Sequence, residues 1–593
     1  MATQIEYPNV DSVLKSEVVQ SNEPFKLENP SDLPARDLTL ADAVNIAMSN
    51  GDILRSLNAS VVQTAPTIQT KFSPTLTETN PQTGVEAALS AFDAQVIGSL
   101  KWNKDNRPNN IAINPILANF QRANFLQEAA NFSYEINKKT ATGAKFAARH
   151  NIGYTLPNTP NLLYTSSYIG YVEAEYRQPL LKGSGVQYNR IAGTSLQNGV
   201  YNGVLIARIT TDVSLADFEA GVISFMNDVE GAYWELYYAY HNLESLVAGR
   251  NSSLLTWQRV KELERVGARG GDAAAEAQAR SQYYSFEVQV KEALTGTNGL
   301  YGAEQRLRYL LGLPANDGSL IKPVSQPMEG AVVFDWSSAM TDALTARVEV
   351  RRQKWNVKRR ELEMIAARLN RRATLDVVTQ YRWRGLGDKL VAGYSPVATS
   401  SLYQSILSGQ YQEWNAGLEW GYPVGMRQAG VAVSNARLNL AREHAVLEEL
   451  ELKISHDLSN ASRSLARAYA LMDANFNRQM SDRQQVAALQ ARYEGGLDNI
   501  NLLLQAQQQL ATSQSAYFRS LVDYQLALRD FNREKGALLN YNQIGMSEGP
   551  WAGEAYQDAE ERGRYFAPRE NGSNVGAPSP ISGGAFEPSH VGS

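Results

Sequence analysis

The stretch Val431–Tyr541 limits what this chain can fold into more than any other. It holds no proline, and its apolar residues recur in steps of three and four: Leu447, Leu450, Ile454, Leu458, Ala461, Leu465, Ala468, Met472 and Phe476. That spacing is the seam of a coiled coil, one apolar stripe along a helix. The run breaks once, at Glu494-Gly495-Gly496-Leu497-Asp498, where glycine marks a helix end and Asp a restart. A second seam continues through Ile500, Leu503, Leu504 and Leu510. The pattern predicts a long antiparallel helical hairpin with its tip at Gly495-Gly496. At 1.5 Å per residue, Val431–Glu494 would span roughly 95 Å. No globular core is that deep, so the element must project from something.

Composition narrows the class. The 593 residues carry a net charge of −5 and 20% charged residues, with the basic ones dispersed, so there is no nucleic-acid footprint. The absence of cysteine excludes disulfides, thiolate metal sites and a lipid-modified N-terminal cysteine. No apolar run reaches the ~18 residues of a membrane helix. Met1–Tyr7 lacks a basic-then-apolar signal, which leaves a removed signal peptide or a cytoplasmic protein as the alternatives.

Residues 1–37, punctuated by Pro8, Pro24, Pro30 and Pro34, read as an extended arm. Thr39 is placed to cap a short amphipathic helix carrying Ala43, Ile46, Ala47 and Ile53. From Ala91 the period changes to two. Phe92, Ala94, Val96, Gly98, Leu100 and Trp102 lie on one face, and Asp93, Gln95, Ser99, Lys101 and Asn103 on the other. Tyr168–Leu180 repeats this alternation, with Tyr168, Val172, Ala174 and Tyr176 against Glu173, Glu175 and Arg177. An extra hairpin over about 131–156 is expected between them, with its turn at Thr142-Gly143. A helical region follows over roughly Val186–Val266, with a seam from Leu215 to Val247. It breaks at Gly267–Asp272 and runs on to about Leu311. Residues 314–334 read as a Pro-containing linker, and Trp336–Arg372 as a helical pair. Two more alternating segments carry Leu375, Val377, Tyr381 and Trp383, and then Trp414, Ala416, Leu418, Trp420 and Tyr422. The order short helix, strands, long hairpin thus occurs twice, an internal duplication over 38–313 and 335–541. Residues 542–593, rich in Gly, Pro and Ser, read as a disordered tail.

Strands with one apolar and one wet face, too few to close alone, call for symmetric association of several copies in a bilayer. Trp102, Trp383, Trp414, Trp420 and Tyr422 are candidates for an aromatic girdle. Glu173, Glu175, Arg177, Arg382, Arg384 and Glu419 would face a water-filled lumen. The fold class expected is mixed α+β: long helical hairpins forming an α-barrel, plus a membrane β-barrel shared between protomers. The competing reading is a soluble coiled-coil scaffold beside a β-sandwich.

Several stretches carry a family resemblance. They are LTLADAVNIAMSN from Leu38, QPLLKG from Gln178 with Asn189-Arg190 downstream, YPVGMR from Tyr422, RYEGGLD from Arg492 and LLQAQ from Leu503. In these, over about residues 38–541, the chain resembles a TolC-type outer-membrane efflux protein. The resemblance implies a homotrimer in the outer membrane, each copy giving four strands to a 12-stranded barrel and long helices to a tunnel through the periplasm. It implies a passive exit duct of a tripartite efflux or type I secretion system, with a periplasmic adaptor protein and an inner-membrane pump as partners. The tips Gly267, Arg269, Gly270, Gly271 and Asp272, and Gly495, Gly496, Leu497 and Asp498, match the ends that meet the adaptor. Arg492 and Tyr493 match the bonds that hold the entrance closed. In similar proteins two acidic residues after the second tip form a cation-selective ring; the aligned positions here are Leu502 and Gln505. Asp498 and Asp272 are the nearest acids, and both also suit N-caps. Pro179, Gly183, Pro423 and Gly425 match strand-to-helix junctions, where proline ends a ladder.

Enzymatic signatures are missing. His150, His241, His444, His456 and His590 form no two-His zinc motif, no phosphate loop is present, and no nucleophile elbow occurs. No catalysis, no cofactor and no metal are expected. The basic run Arg347, Arg351, Arg352, Lys354, Lys358, Arg359 and Arg360 reads as a solvated helix face or an anion-attracting belt.

Overall fold

Thr39 starts the first α-helix among the described residues. Its Oγ1 accepts the N–H of Asp42 at 3.1 Å, capping helix α1, Leu40–Ser49, whose Ala43, Val44 and Ala47 are buried. The computed structural model describes residues 21–27, 30–56, 69–110, 122–193, 199–267, 272–392, 397, 399–495 and 499–545. The chain divides into a unit Met1–Asn542 and a second, Gln543–Ser593; of the latter, the expected tail, all but 543–545 lie outside the described residues.

Ahead of α1 lies a strand that the sequence pattern misses. Ala35–Leu38 (β1) pairs in parallel with Leu320–Pro323, inside the segments read as an arm and a linker. Four residues are too few for alternation to register. The pairing is held by Tyr233, whose hydroxyl donates to the Leu38 carbonyl at 3.0 Å and accepts the Ser325 N–H at 2.9 Å.

Six strands form one antiparallel sheet: β2 (Ala94–Pro108), β3 (Asn124–Lys139), β4 (Lys145–Pro157), β5 (Ser167–Pro179), then, after β6 (Leu320–Pro323) of the parallel pair, β7 (Thr374–Gly387) and β8 (Gln412–Gly421). Their order is β2-β3-β4-β5-β7-β8. The extra hairpin is therefore β3–β4, inserted between the two strands of the first half. The four strands per chain implied by the family resemblance become six.

The helical region read as Val186–Val266 is two helices, α2 (Val186–Ala192) and α3 (Val204–Val266), because Gly193 turns to positive φ and 199–203 carry no helix. α4 (Ala273–Thr295) and α5 (Leu300–Leu311) follow, parted by Gly296–Gly299. Trp336–Ala346 (α6) and Val348–Asn370 (α7) precede β7. A short helix, Leu402–Leu407 (α8), lies in the β7–β8 connection. Arg427–Glu494 (α9) and Ile500–Glu534 (α10) close the architecture. With 63 and 68 residues, α3 and α9 are rods of about 95–100 Å. Among the described residues no helix is long and apolar enough to cross a membrane.

The seam read from the sequence lies in the helical core. Ile454, Leu458, Leu465, Ala468 and Met472 of α9 bury against Leu521, Tyr524, Leu528 and Phe531 of α10 and Ala339, Ala343 and Val350 of α6 and α7. Truncating one such leucine to alanine costs about 2–5 kcal/mol. The Tyr524 hydroxyl donates to the Gly330 carbonyl at 2.7 Å, fastening the 314–334 segment to α10. At the other end of that segment Arg308, 1% exposed, bonds Glu304 at 2.7 Å, Asp317 at 2.8 Å and the Ser319 carbonyl at 2.6 Å. The basic run of α7 is largely spent on ion pairs: Arg347 with Glu534 at 2.7 Å, Arg352 with Asp217 at 2.9 Å, Arg360 with Glu363 at 2.8 Å, and Arg351 with Glu219. Those pairs favour the solvated-face reading over an anion-attracting belt.

Candidate pore wall and helical tips

In an antiparallel ladder, residues directly opposite each other share a face. One row across the sheet is Val96, Ile136, Ala148, Ala174, Tyr381 and Trp414. Neighbouring rows on that face bring Leu100, Phe132, Ile152 and Val172, and Leu375 with Trp420. This face is largely apolar from edge to edge, with Lys138 opposite Phe146 and the Lys104–Glu128 pair at 2.7 Å as its charged members on β2 and β3. Trp102, Trp414 and Trp420 stand on it, 73, 75 and 69% exposed in the single chain. Trp383 is partly buried against Tyr381, and Tyr422 stacks parallel to Trp420. Away from the helices the face is covered by α8. A Cβ on Gly385 would sit 2.6 Å from Ile406, and one on Gly387 only 2.2 Å from the Leu402 nitrogen. His150 joins this cover through Tyr403 at 3.0 Å, a structural role.

The opposite face is a charged lattice. Arg149 of β4 bonds Glu135 of β3 at 3.1 Å, Glu173 of β5 at 2.7 Å, and Glu175. Glu173, 2% exposed, also receives Arg382 of β7. Arg382 stacks over the Tyr171 ring at 4.5 Å and reaches Glu413 of β8 at 3.3 Å, which Arg384 meets at 2.6 Å. Arg177 bonds Asp376 at 3.2 Å and Glu419. The sequence reading picked out the β5, β7 and β8 members of this lattice and missed Glu135 and Arg149. Their signal was present: they occupy the polar positions of the hairpin's own alternation.

Where the sheet meets the helices, Pro179 is the last residue of β5 and Pro423 follows β8. Gly183, Gly185 and Gly425 take φ of 85°, 92° and 90°, a conformation that glycine alone adopts without strain. The hairpin turn docks here. The Gly185 N–H donates to the Thr142 carbonyl at 3.0 Å, and Asn189 donates to the Gly183 carbonyl at 2.9 Å.

At the far ends of the rods, Gly267 is the left-handed C-cap of α3, and Asp272 accepts the Ala275 N–H at 2.7 Å as N-cap of α4. Gly495 caps α9. The N-cap of α10 is Asn499, not Asp498, with its side chain accepting the Asn501 N–H at 3.3 Å. Arg269, Gly270, Gly271, Gly496, Leu497 and Asp498 lie outside the described residues. Tyr493 packs with Val260, Ala279, Ile500 and Leu504, which joins the two tips. Its buried hydroxyl has no hydrogen-bond partner among the described residues, and burial raises its pKa. Beside it Arg259 meets Glu494 at 3.3 Å. Arg492 is the last basic residue of α9. Leu502 and Gln505 are exposed, and Gln505 lines a groove with Gln278, Gln282, Gln508 and Gln509. Where the family resemblance implies acids, this chain presents a leucine, Leu502, and an amide, Gln505, and the groove beside them is crossed by the Gln282–Gln508 hydrogen bond at 2.7 Å.

No family model matches the sequence, and no curated protein sequence does. Solved structures do match. The outer-membrane channel OprN aligns over 90% of this chain and 98% of its own, at 11% identity and a TM-score of 0.55. CusC, whose structures concern transmembrane channel formation, aligns over 90% and 99% at 12% identity with a TM-score of 0.55. The outer membrane protein VceC of Vibrio cholerae aligns over 84% and 96% at 12% identity with a TM-score of 0.52. The chain has the fold of the TolC-type outer-membrane channels. At such identities the likeness lies in backbone architecture. The hairpin β3–β4, the α8 cover and the amide groove are features of this chain's own residues.

Proposed function

We propose that the protein is a passive exit duct of the outer membrane, a homotrimer whose sheets close a β-barrel in lipid and whose rods continue it through the periplasm. One observation carries this reading: a single sheet, largely apolar on one face and charged on the other, is joined to rods of about 100 Å. The duct performs no bond chemistry. Trp102, Trp383, Trp414, Trp420 and Tyr422 form its interfacial girdle, and Pro179, Gly183, Pro423 and Gly425 hold the bend from wall to tunnel. The two sheet-and-hairpin halves are copies of one duplicated unit.

The tips Gly267–Asp272 and Gly495–Asp498 dock a periplasmic adaptor that links the duct to an inner-membrane pump, in tripartite efflux or type I secretion. Tyr493 and Arg492 hold the entrance shut until the adaptor favours the open arrangement, a two-state switch. The buried Tyr493 hydroxyl, without a hydrogen-bond partner among the described residues, supports this reading, since a neighbouring copy can supply an acceptor. Leu502 and Gln505 make an uncharged rim there.

The test is reconstitution. Detergent-purified protein should have the mass of three chains and should give ion conductance in planar bilayers, rising when Tyr493 is replaced by Phe. A monomeric, lipid-indifferent rod without conductance would overturn the proposal.

A further inference from the structure

We propose that the β3–β4 hairpin is pore wall, so that six strands from each of three copies close an eighteen-stranded barrel. This rests on the trimeric channel proposed above and deepens it. Barrel diameter grows roughly linearly with strand number, so the lumen is about half again as wide as a twelve-stranded one.

Four observations carry the step. First, the hairpin is bonded along its length on both sides, from Ala94–Lys138 to Pro108–Asn124 with β2 and from Lys145–Arg177 to Thr155–Ser167 with β5. It is not a flap on a finished sheet. Second, its faces continue those of its neighbours: Tyr134, Ile136, Phe146 and Ala148 extend the apolar face, and Glu135 and Arg149 extend the charged one. Arg149 binds β3, β4 and β5 into one ion-paired lattice, so withdrawing the hairpin would strip Glu173 and Glu175 of a partner. Third, the turn is seated on the strand-to-helix junction through Thr142 and Gly185. Gly143 there has φ +94°, and a Cβ would fall 2.3 Å from the Gly183 carbonyl oxygen.

Fourth, the two edges suit a second copy of this chain. An even number of strands leaves β2 and β8 running in opposite directions, so β8 of one copy lies antiparallel beside β2 of the next. Both edges are exposed along nearly their whole length in the single chain. Exposed edges of this length invite pairing. The apolar face reaches both, with Val96 and Leu100 on one and Trp414 and Leu418 on the other. On the charged face Lys101 of β2 would meet the Glu413 and Glu419 side of β8.

The absence of native cysteine makes the test clean. Full-length protein carrying one cysteine on each edge, at positions among 96, 100 and 102 and among 414, 418 and 420, is oxidised in membranes. Single cysteines at Phe146 and Ala147 are labelled separately with a lipid-phase and a water-soluble maleimide. The expected result is a trimer in native mass measurement, a covalent ladder to three chains from β2–β8 pairs, and alternation in which Phe146→Cys takes the lipid-phase label and Ala147→Cys only the water-soluble one. A trimer in which both positions take only the water-soluble label overturns the eighteen-stranded wall and leaves the channel standing. Protein that is not trimeric overturns the channel reading and this proposal with it.

Discussion

Arg149 Nη1 lies 2.7 Å from Oε1 of Glu173, one strand away, and Glu173 is the most deeply buried acid of the sheet's charged face. The pair joins the inserted hairpin to the strand that leads into the tunnel. Because Arg149 also holds Glu135 and Glu175, its loss leaves several carboxylates short of a partner. Removing one partner of a buried pair costs about 3–5 kcal/mol, whereas losing one charge-assisted hydrogen bond costs about 1.5–3 kcal/mol. Arg149→Met should therefore destabilise the protein more than Glu173→Gln. The check is the thermal unfolding midpoint of each variant in detergent against the parent protein, with Arg149→Met showing the larger drop.

Val96 stands on the apolar face, third residue of the edge strand β2, in one row with Ile136, Ala148, Ala174, Tyr381 and Trp414. Arginine on a lipid-facing position costs about 2–4 kcal/mol at the bilayer midplane and about 0–1 kcal/mol near the interfaces. Val96→Arg should reduce membrane assembly, while Gln95→Arg, one residue along and on the opposite face, should assemble normally. Fractionation of outer membranes against soluble aggregate measures both, and equal yields would mean that the faces are assigned wrongly.

Gly143 turns the hairpin at φ +94°, against the Gly183 carbonyl. Forcing a side chain into so sparsely populated a backbone region costs about 1–3 kcal/mol, and the 2.3 Å contact adds to it. Gly143→Ala should loosen the turn from the junction, read as faster protease cleavage at 139–145 with the rods still intact. Gly430→Ala, where a Cβ meets nothing, is the matched control.

Asp317 supplies a pH test outside the sheet. Burial alone would raise its pKa, but hydrogen bonds from Arg308 and Ser319 outweigh that and hold it at about 2. With an unfolded value of about 3.9, this depressed group contributes stability that is complete above pH ~4 and fades as pH falls toward the folded value. The thermal-stability gap between the parent protein and Asp317→Asn should accordingly narrow on going from neutral pH to about pH 2. A gap that widens with acid would contradict the pairing with Arg308.

The sequence by itself determined whatever a local repeat can encode. The steps of three and four from Leu447 to Met472 specified α9 and its buried stripe, and Gly267 and Gly495 marked where rods end. The alternation at Ala94–Trp102 and Trp414–Trp420 gave each strand its two faces. Those signals hold because side-chain period follows from helix and strand geometry alone. Only the tertiary structure decided which strands lie side by side. Alternation fits any neighbour, so nothing local showed β3–β4 entering between β2 and β5, Arg149 reaching Glu173, or Ala35–Leu38 pairing with Leu320–Pro323 across the chain. The tip was divided likewise: its break was written in glycines, but the meeting of Tyr493 with Val260 and Ala279 came from packing two rods that the chain itself keeps more than two hundred residues apart.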